Sequence, residues 1–190
     1  MSWNNLLLRL TLERTGRVEG ECAIVGYVKD IEVEKLSFDI STPEGDLERR
    51  QDEVDESESA ADRFKAARRL LAMRRGSVAR ASFGPLKVNK RFDKSSTGLL
   101  KALSSQEEIT EAVFVALRRS ELGVKMKSMP WLRVILRKAT VKSVDLKLES
   151  QGNERLLSEE IVLDYDEIAV EYMPERSPGT MRFSYSRSAF

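Results

Sequence analysis

The chain has 190 residues, of which 41% are apolar, 33% charged and 7% aromatic, a composition that suits one globular domain of ordinary size or two small ones. Its 32 lysines and arginines nearly balance 31 aspartates and glutamates. The resulting net charge of +1 argues against a protein whose main task is to coat nucleic acid or an anionic membrane. The sequence contains no histidine and one cysteine, Cys22. These counts exclude serine-histidine-aspartate triads, cysteine-histidine dyads, zinc sites of the Cys/His kind and an intrachain disulfide.

The first residues, 1–9, lack the basic segment, the apolar core and the small-residue cleavage site of a secretory signal. We therefore expect the protein to be made and folded in the cytoplasm. No part of the sequence approaches a run of about 18 apolar residues, so we expect no insertion into a membrane.

Alternation of apolar and polar residues predicts strands in the first forty residues. Residues 6–12 place a leucine at every second position, and Gly16 supplies a turn. In residues 31–40 the apolar positions change phase across Glu34 and Lys35, as a bulge or bend requires. This pattern indicates a curved sheet.

Residues 41–82 have a different character, with acidic residues concentrated at 52–58 and basic residues following at 63–80. A helix-capping pattern and an apolar stripe predict an amphipathic helix over residues 59–75. The stripe consists of Phe64, Ala67 and Leu71. Two interpretations stay open here: a solvated helix on a surface excursion, or a segment that packs on a neighbouring subunit.

A short helix and a central strand are predicted in the middle of the chain. Asp93 is a good N-cap, and residues 94–103 form a helix whose apolar face includes Leu99 and Leu103. Residues 112–117 are apolar on both faces, which predicts a strand covered on two sides.

The second half of the chain repeats the strand pattern, and within residues 161–172 the apolar phase jumps at Asp166 and Glu167, a second bulge signal. The strand segments are residues 132–136, 144–148, 161–172 and 181–185. The whole pattern predicts a mainly β protein: a small antiparallel β-barrel or sandwich with a flanking short α-helix and an inserted charged helical excursion.

Four segments of the chain carry a further pattern. A Gly-Glu-Cys turn and the residues after it, 20–38, are followed by a strand, an Asp-Lys-Ser-Ser helix start and a Leu-Leu-Lys-Ala-Leu face in residues 84–103. Two later strand segments lie at residues 136–144 and 159–172. In this order and spacing the segments resemble the Hcp family, the haemolysin-coregulated, inner-tube proteins of the type VI secretion system.

The resemblance implies that residues 1–190 form a single tube domain that assembles as hexameric rings, which stack head to tail into a hollow tube. It implies action by geometry rather than by chemistry: a contractile sheath propels the tube, spike and baseplate proteins accompany it, and small effector proteins travel in its lumen. The protein would be cytoplasmic during assembly and leave the cell through its own apparatus without a signal peptide. Residues 41–82 are longer and more charged than the family's loop, so they form an insertion or extended loop.

We expect no catalytic residue, no cofactor and no metal site in this chain. The candidate functional residues are subunit contacts, because the predicted helix of the insertion has an apolar stripe flanked by charge on a segment that interrupts the sheet. The predicted contact residues are Arg63, Phe64, Arg68 and Leu71.

Three alternative functions compete with this interpretation. A tail-tube protein of another phage-like contractile injection particle would share the fold and the ring geometry. An enzyme would use carboxylates such as Asp164 and Asp166, whose spacing also suits a solvated strand, or a Ser-Lys pair within residues 94–96, which helix capping explains. A small-barrel module for single-stranded nucleic acid would use aromatic residues beside basic ones, as at Trp131 and Phe183. Core packing or an interface accounts for those aromatic residues, and we expect no nucleic-acid partner.

Overall fold

The computed structural model describes residues 5–41, 81–120, 127–151, 154–175 and 179–187. The chain divides into two compact units, one made of residues 1–37 and 85–190 and the other of residues 38–84. The helix predicted for residues 59–75 lies outside the described residues.

The described residues form eleven strands and one helix. In chain order these are β1 (Asn5–Leu12), β2 (Gly16–Val18), β3 (Ile31–Val33), β4 (Lys35–Ser37), β5 (Ile40–Ser41), β6 (Ser82–Phe83), β7 (Leu86–Arg91), α1 (Lys94–Ser105), β8 (Ile109–Ser120), β9 (Lys127–Gln151), β10 (Glu154–Tyr172) and β11 (Met181–Ser186).

The first unit is built on one nine-stranded antiparallel sheet with the order β2-β1-β8-β9-β10-β7-β4, in which β3 also pairs with β1 and β11 with β10. Strand β8 lies between β1 and β9, and the side chains of its middle residues are buried, which confirms the central strand predicted for residues 112–117. In the second unit β5 pairs with β6, with Ile40 opposite Phe83.

The chain changes its strand-pairing partner at Glu34, where the sequence predicted a bend. Strand β3 pairs with β1, strand β4 pairs with β7, and the two strands are separated by this one residue. The Glu34 backbone N–H donates to the Asn89 carbonyl at 2.8 Å, so the change of partner leaves its donor satisfied. The fold is mainly β and antiparallel with a short helix, as predicted, but the strand order is an open path rather than a closed barrel.

Helix α1 begins at the predicted position. Asp93 is its N-cap and forms a capping box with Ser96, and the helix ends at Gln106 in the left-handed conformation. Leu99 is buried as predicted, whereas Leu103 is half-buried.

A second bend crosses three neighbouring strands. On each of the three strands, two adjacent residues that are not buried lie between one core residue and the next. Strict alternation would place only one such residue there. The core pairs that flank this gap are Ile109 and Ala112 on β8, Leu136 and Ala139 on β9, and Tyr165 and Ile168 on β10. Lys138 lies in the gap with a φ of 49°. It is opposite Thr110 and Asp166, but it pairs with neither, although the residues on both sides of it are paired in continuous register. The predicted phase jump at Asp166 is thus confirmed and is shared with β8 and β9.

The conformation of Lys138 gives a test of this bend. A β-branched residue at a φ of 49° is strained, so we expect Lys138→Val to lower the free energy of unfolding by about 1–2 kcal/mol in urea denaturation. Lys138→Gly should stay within about 0.5 kcal/mol of the native chain, because relief of strain offsets the entropy of an unfolded glycine. Lys142→Val on the same strand is the control for loss of a surface lysine. An equal loss in both valine variants would contradict a special backbone at Lys138.

Candidate assembly surfaces and their support

The four contact residues predicted from the sequence, Arg63, Phe64, Arg68 and Leu71, lie outside the described residues. The described residues do include all four segments on which the resemblance rests. The described residues contain three buried carboxylates, Asp30, Glu107 and Glu159, and each of them fixes a connection between elements of the fold.

The first buried carboxylate lies at the start of α1. The Lys90 ammonium is fully buried and donates to Asp93 Oδ1 at 2.6 Å, to the Arg91 carbonyl at 2.8 Å and to Ser96 Oγ at 3.1 Å. It also forms an ion pair with Glu159, with Lys90 Nζ 2.6 Å from Glu159 Oε1. The Ser96 hydroxyl donates in turn to Glu159 Oε1 at 2.9 Å. Strand β7, the first turn of α1 and strand β10 are therefore joined through one lysine. Glu159 Oε2 is buried and has no hydrogen-bond partner among the described residues.

The sequence contains a signal for this cluster in the strand positions of Lys90 and Glu159. Lys90 continues the inward positions of Leu86 and Val88, and Glu159 precedes the inward positions of Ile161 and Leu163. A charged residue at an inward strand position indicates a buried partner of opposite charge.

The second buried carboxylate, Asp30, holds the loop of residues 19–30. Arg9 donates to both of its oxygens, from Nε at 3.0 Å and from Nη2 at 3.1 Å, and Arg17 Nη2 donates to Oδ1 at 2.6 Å. A Cβ atom on Gly20 would lie 2.5 Å from the Asp30 carbonyl oxygen, so the close approach of these backbones requires glycine.

The loop covers a small apolar cluster on the outer face of β1 and β8. Its buried members are Leu7, Cys22, Val115 and Leu117, with Ile24, Tyr27 and Val113 packed against them. Burial raises the pKa of the Cys22 thiol, which is the opposite of what a reactive cysteine needs. At the loop tip, Val25 is 92% exposed and Val28 is 54% exposed.

Glu19 connects this loop to α1. Its carboxylate accepts from Lys94 Nζ at 2.8 Å and from Lys29 Nζ at 2.9 Å, and these hydrogen bonds lower its pKa to about 2. The two segments that carry most of the resemblance, 20–38 and 84–103, are therefore linked by a surface ion pair network.

The third buried carboxylate, Glu107, binds the turn between β1 and β2. It accepts from the Thr15 backbone N–H at 2.7 Å, from the Arg14 backbone N–H at 2.8 Å and from Thr15 Oγ1 at 2.9 Å. The hydrogen bond from the Thr15 backbone is the largest of the effects that lower the pKa of Glu107.

Most residues of the alternative functions are engaged in structural contacts, whereas Phe183 is 49% exposed, so core packing does not account for it. Burial raises the pKa of Asp164, but hydrogen bonds outweigh it, chiefly the one from Arg187 at 2.8 Å, so the net pKa is lowered. Asp166 lies exposed in the second bend. The Trp131 ring packs edge-on against Tyr172, with ring centroids 6.4 Å apart. Ser95 and Ser96 serve the helix cap.

Both ends of the β9–β10 ribbon expose large apolar side chains. Leu148 is 65% exposed at the hairpin end, and Met181, paired with β10 at the opposite end, is 65% exposed. Within the part of the chain that the structure describes, no group of three or more His, Cys, Asp or Glu side chains is placed to hold a metal ion. Likewise, no helix among those residues has the length and apolar character needed to cross a membrane.

The fold is that of solved Hcp proteins. A variant of Hcp1 from E. coli EAEC 042 aligns over 96% of this chain and 98% of its own, with a TM-score of 0.68 and 16% identity. Hcp1 from Salmonella typhimurium covers 97% and 96% with a TM-score of 0.63 and 16% identity. Hcp3 from Pseudomonas aeruginosa covers 96% and 99% with a TM-score of 0.62 and 15% identity. Comparison with curated protein sequences gives no match.

The sequence itself gives the family. The family model described as "Type VI secretion system effector, Hcp" matches residues 51–172, more than half of the chain. The chain therefore belongs to the Hcp family of type VI secretion tube proteins, as the four segments predicted.

The Lys90 cluster predicts a large effect of a single substitution. Lys90→Met leaves Glu159 buried without a cation, and we expect the free energy of unfolding to fall by about 3–5 kcal/mol in urea denaturation. The double variant Lys90→Met with Glu159→Leu should recover part of that loss, because no buried charge then lacks a partner. Losses that simply add in the double variant would contradict direct coupling.

Glu107 predicts a pH dependence. Its folded pKa is lowered, so the stability it contributes is present above the ordinary glutamate pKa of 4.5 and is lost as the pH falls through the folded value. Glu107→Gln should lower the free energy of unfolding at pH 7, because the neutral amide is a weaker acceptor for the Thr15 and Arg14 donors, and the difference from the native chain should narrow below pH 4.5 in thermal or urea unfolding. Glu108→Gln, an exposed neighbour, is the control. A difference that stays constant down to pH 3 would contradict an ionised Glu107.

Proposed function

We propose that this protein is the structural subunit of a hollow secretion tube, forming hexameric rings that stack head to tail and are propelled by a contractile sheath to deliver effectors. The observation that carries the proposal is the match of the Hcp family model to residues 51–172. The shared fold with Hcp proteins over nearly the whole chain supports it.

The arrangement of the described residues fits a structural protein whose function depends on its shape. The buried carboxylates Asp30, Glu107 and Glu159 fasten a loop, a turn and a helix start to one sheet, which makes the subunit stiff. Apolar side chains are exposed at the tip of the 19–30 loop, at Val25, and at the end of the β9–β10 hairpin, at Leu148, where they are available for contact with other protein chains. In this proposal the protein has no catalytic role.

The partners and the route follow from the same proposal. The sheath surrounds the stacked rings, spike and baseplate proteins lie at the end of the tube, and small effectors occupy the lumen. The subunit is cytoplasmic during assembly and is secreted through its own apparatus without a signal peptide. Residues 1–190 act as one tube domain in which residues 41–82 are an insertion.

The mass of the purified protein tests the ring directly. Six subunits of 21.6 kDa give a ring of about 130 kDa, and we expect that mass in light scattering, with rings and short stacks in negative-stain electron microscopy of the same fraction. A monomer at every concentration, with no rings on the grid, would contradict the proposal.

For the insertion we propose that Arg63, Phe64, Arg68 and Leu71 lie against an adjacent subunit. Phe64→Asp should then abolish rings and stacks while the free energy of unfolding of the monomer changes by less than about 0.5 kcal/mol. Arg50→Asp, which changes charge in the same insertion outside the predicted helix, is the control. Unfolding of the isolated Phe64→Asp subunit would count against a contact role for this residue.

A further inference from the structure

The hairpin end of the β9–β10 ribbon carries an excess of negative charge. Asp145 on β9 and Glu160 on β10 lie directly opposite each other, so two carboxylates share one face of the ribbon. Of the described residues on that face of the ribbon, one lysine accompanies them, with Lys147 Nζ 3.9 Å from Glu160 Oε2. The neighbouring strand β7 adds Lys87 and Arg91 to the same face, and Arg91 is paired with Glu34 at 2.9 Å. On the other face, Leu146 is 48% exposed and Leu148 is 65% exposed. We call Asp145, Leu146, Lys147, Leu148 and Glu160 the hairpin patch.

The opposite end of the ribbon carries an excess of positive charge. Arg133 on β9 and Arg182 on β11 share the single carboxylate of Glu171 on β10, at 3.8 and 3.7 Å. On the other face of the sheet, Tyr172 is 41% exposed and the residue paired with it, Met181, is 65% exposed. We call these five residues the β11 patch.

The two patches match each other in layout. In both, the charged residues lie on the outer face of the sheet, and the apolar residues lie on the face that continues into the core. Two carboxylates and one lysine give the hairpin patch a net charge of −1, whereas two arginines and one glutamate give the β11 patch +1. Opposite charges would therefore meet on one face and apolar side chains on the other.

The two patches cannot meet within one subunit. They are separated by eleven residues along β10, from Glu160 to Glu171, which corresponds to about 35 Å of strand. A contact between two different surfaces of identical chains is heterologous, and repeated rotation by the same operation produces a closed ring or an open stack.

We infer that the hairpin patch of one copy docks on the β11 patch of the next copy of this chain. The inference rests on the proposed function and deepens it, because it names the residues of one copy-to-copy contact. The cross-strand carboxylates Asp145 and Glu160, which repel each other in the isolated subunit, receive their counter-charge from the arginines of the neighbour.

Two charge-inverted chains test this contact while each keeps its internal ion pairing. In the first, the hairpin patch is inverted by Asp145→Lys, Lys147→Glu and Glu160→Lys. Each copy then presents positive charge at both ends, and we expect self-assembly to weaken by at least about tenfold in concentration, measured by mass photometry.

In the second chain the β11 patch is inverted by Arg133→Glu, Glu171→Arg and Arg182→Glu. Each copy then presents negative charge at both ends, and the same loss of self-assembly is expected. An equimolar mixture of the two inverted chains should assemble again, because every contact in an alternating assembly joins opposite charges. Assembly of the mixture should weaken as sodium chloride rises from about 0.05 to 0.5 M.

The control exchanges an exposed ion pair in the middle of the sheet, Glu111→Arg with Arg137→Glu. It alters the same kinds of side chain away from both patches and should assemble like the native chain. Circular dichroism and thermal unfolding of each inverted chain check that the fold is retained. If either inverted chain fails to fold, Leu148→Ser and Met181→Ser replace the inversions, and each should weaken assembly without loss of monomer stability.

The outcomes separate this inference from the proposed function. If the native chain forms rings or stacks and the inverted chains assemble equally well alone, the contact is wrong and the tube function stands. The contact is also wrong if the folded inverted chains stay apart when mixed. If the native chain does not assemble at any concentration, both the proposed function and the proposed contact are contradicted.

Discussion

Lys90 places a positive charge in the interior of the subunit, and groups from β7, α1 and β10 neutralise it. A fully buried ammonium is stable when carboxylates and other acceptors surround it. Here the acceptors come from the N-cap residue Asp93, from Ser96 in the first turn of α1 and from Glu159 on β10. Because each element supplies part of the shell, β7, α1 and β10 cannot separate without leaving a charge buried and unpaired. The charge therefore fixes how the helix sits on the sheet.

Buried carboxylates also fix two other connections between the strands. Asp30 fixes the loop before β3 through two arginines, and Glu107 fixes the turn after β1 through backbone donors. Apolar packing holds the strands together but is not directional, so it specifies a loop less well than a carboxylate that needs particular donors. In this subunit, apolar burial forms the sheet and buried carboxylates set the paths between its strands.

Local signals in the sequence predicted the fold well where the structure depends on neighbouring residues. The N-cap at Asp93 and the bend at Glu34 are examples, because capping and strand alternation act over a few residues. The pairing of Lys90 with Glu159 joins residues far apart in the chain, so its geometry needs the strand register. Alternation also places Leu146 and Leu148 on the inward face without showing that the core has ended there, and both are exposed.

The candidate site was less accessible to sequence reasoning than the fold. The charges at the two ends of the ribbon, such as Glu160 and Arg182, belong to different strands and become neighbours of Asp145 and Arg133 through register and sheet order. The family could still be identified, because it depends on the order of segments along the chain and not on which side chains meet across the sheet.

The length of β9 has a mechanical consequence. This strand has 25 residues and is paired with β10 along most of them. A force along such a ribbon loads its cross-strand hydrogen bonds in shear, so that many bonds carry the load together and none can open before its neighbours. A force across the ribbon would instead open the bonds one after another from the hairpin. The subunit is therefore mechanically anisotropic, strongest along the direction of its longest strand.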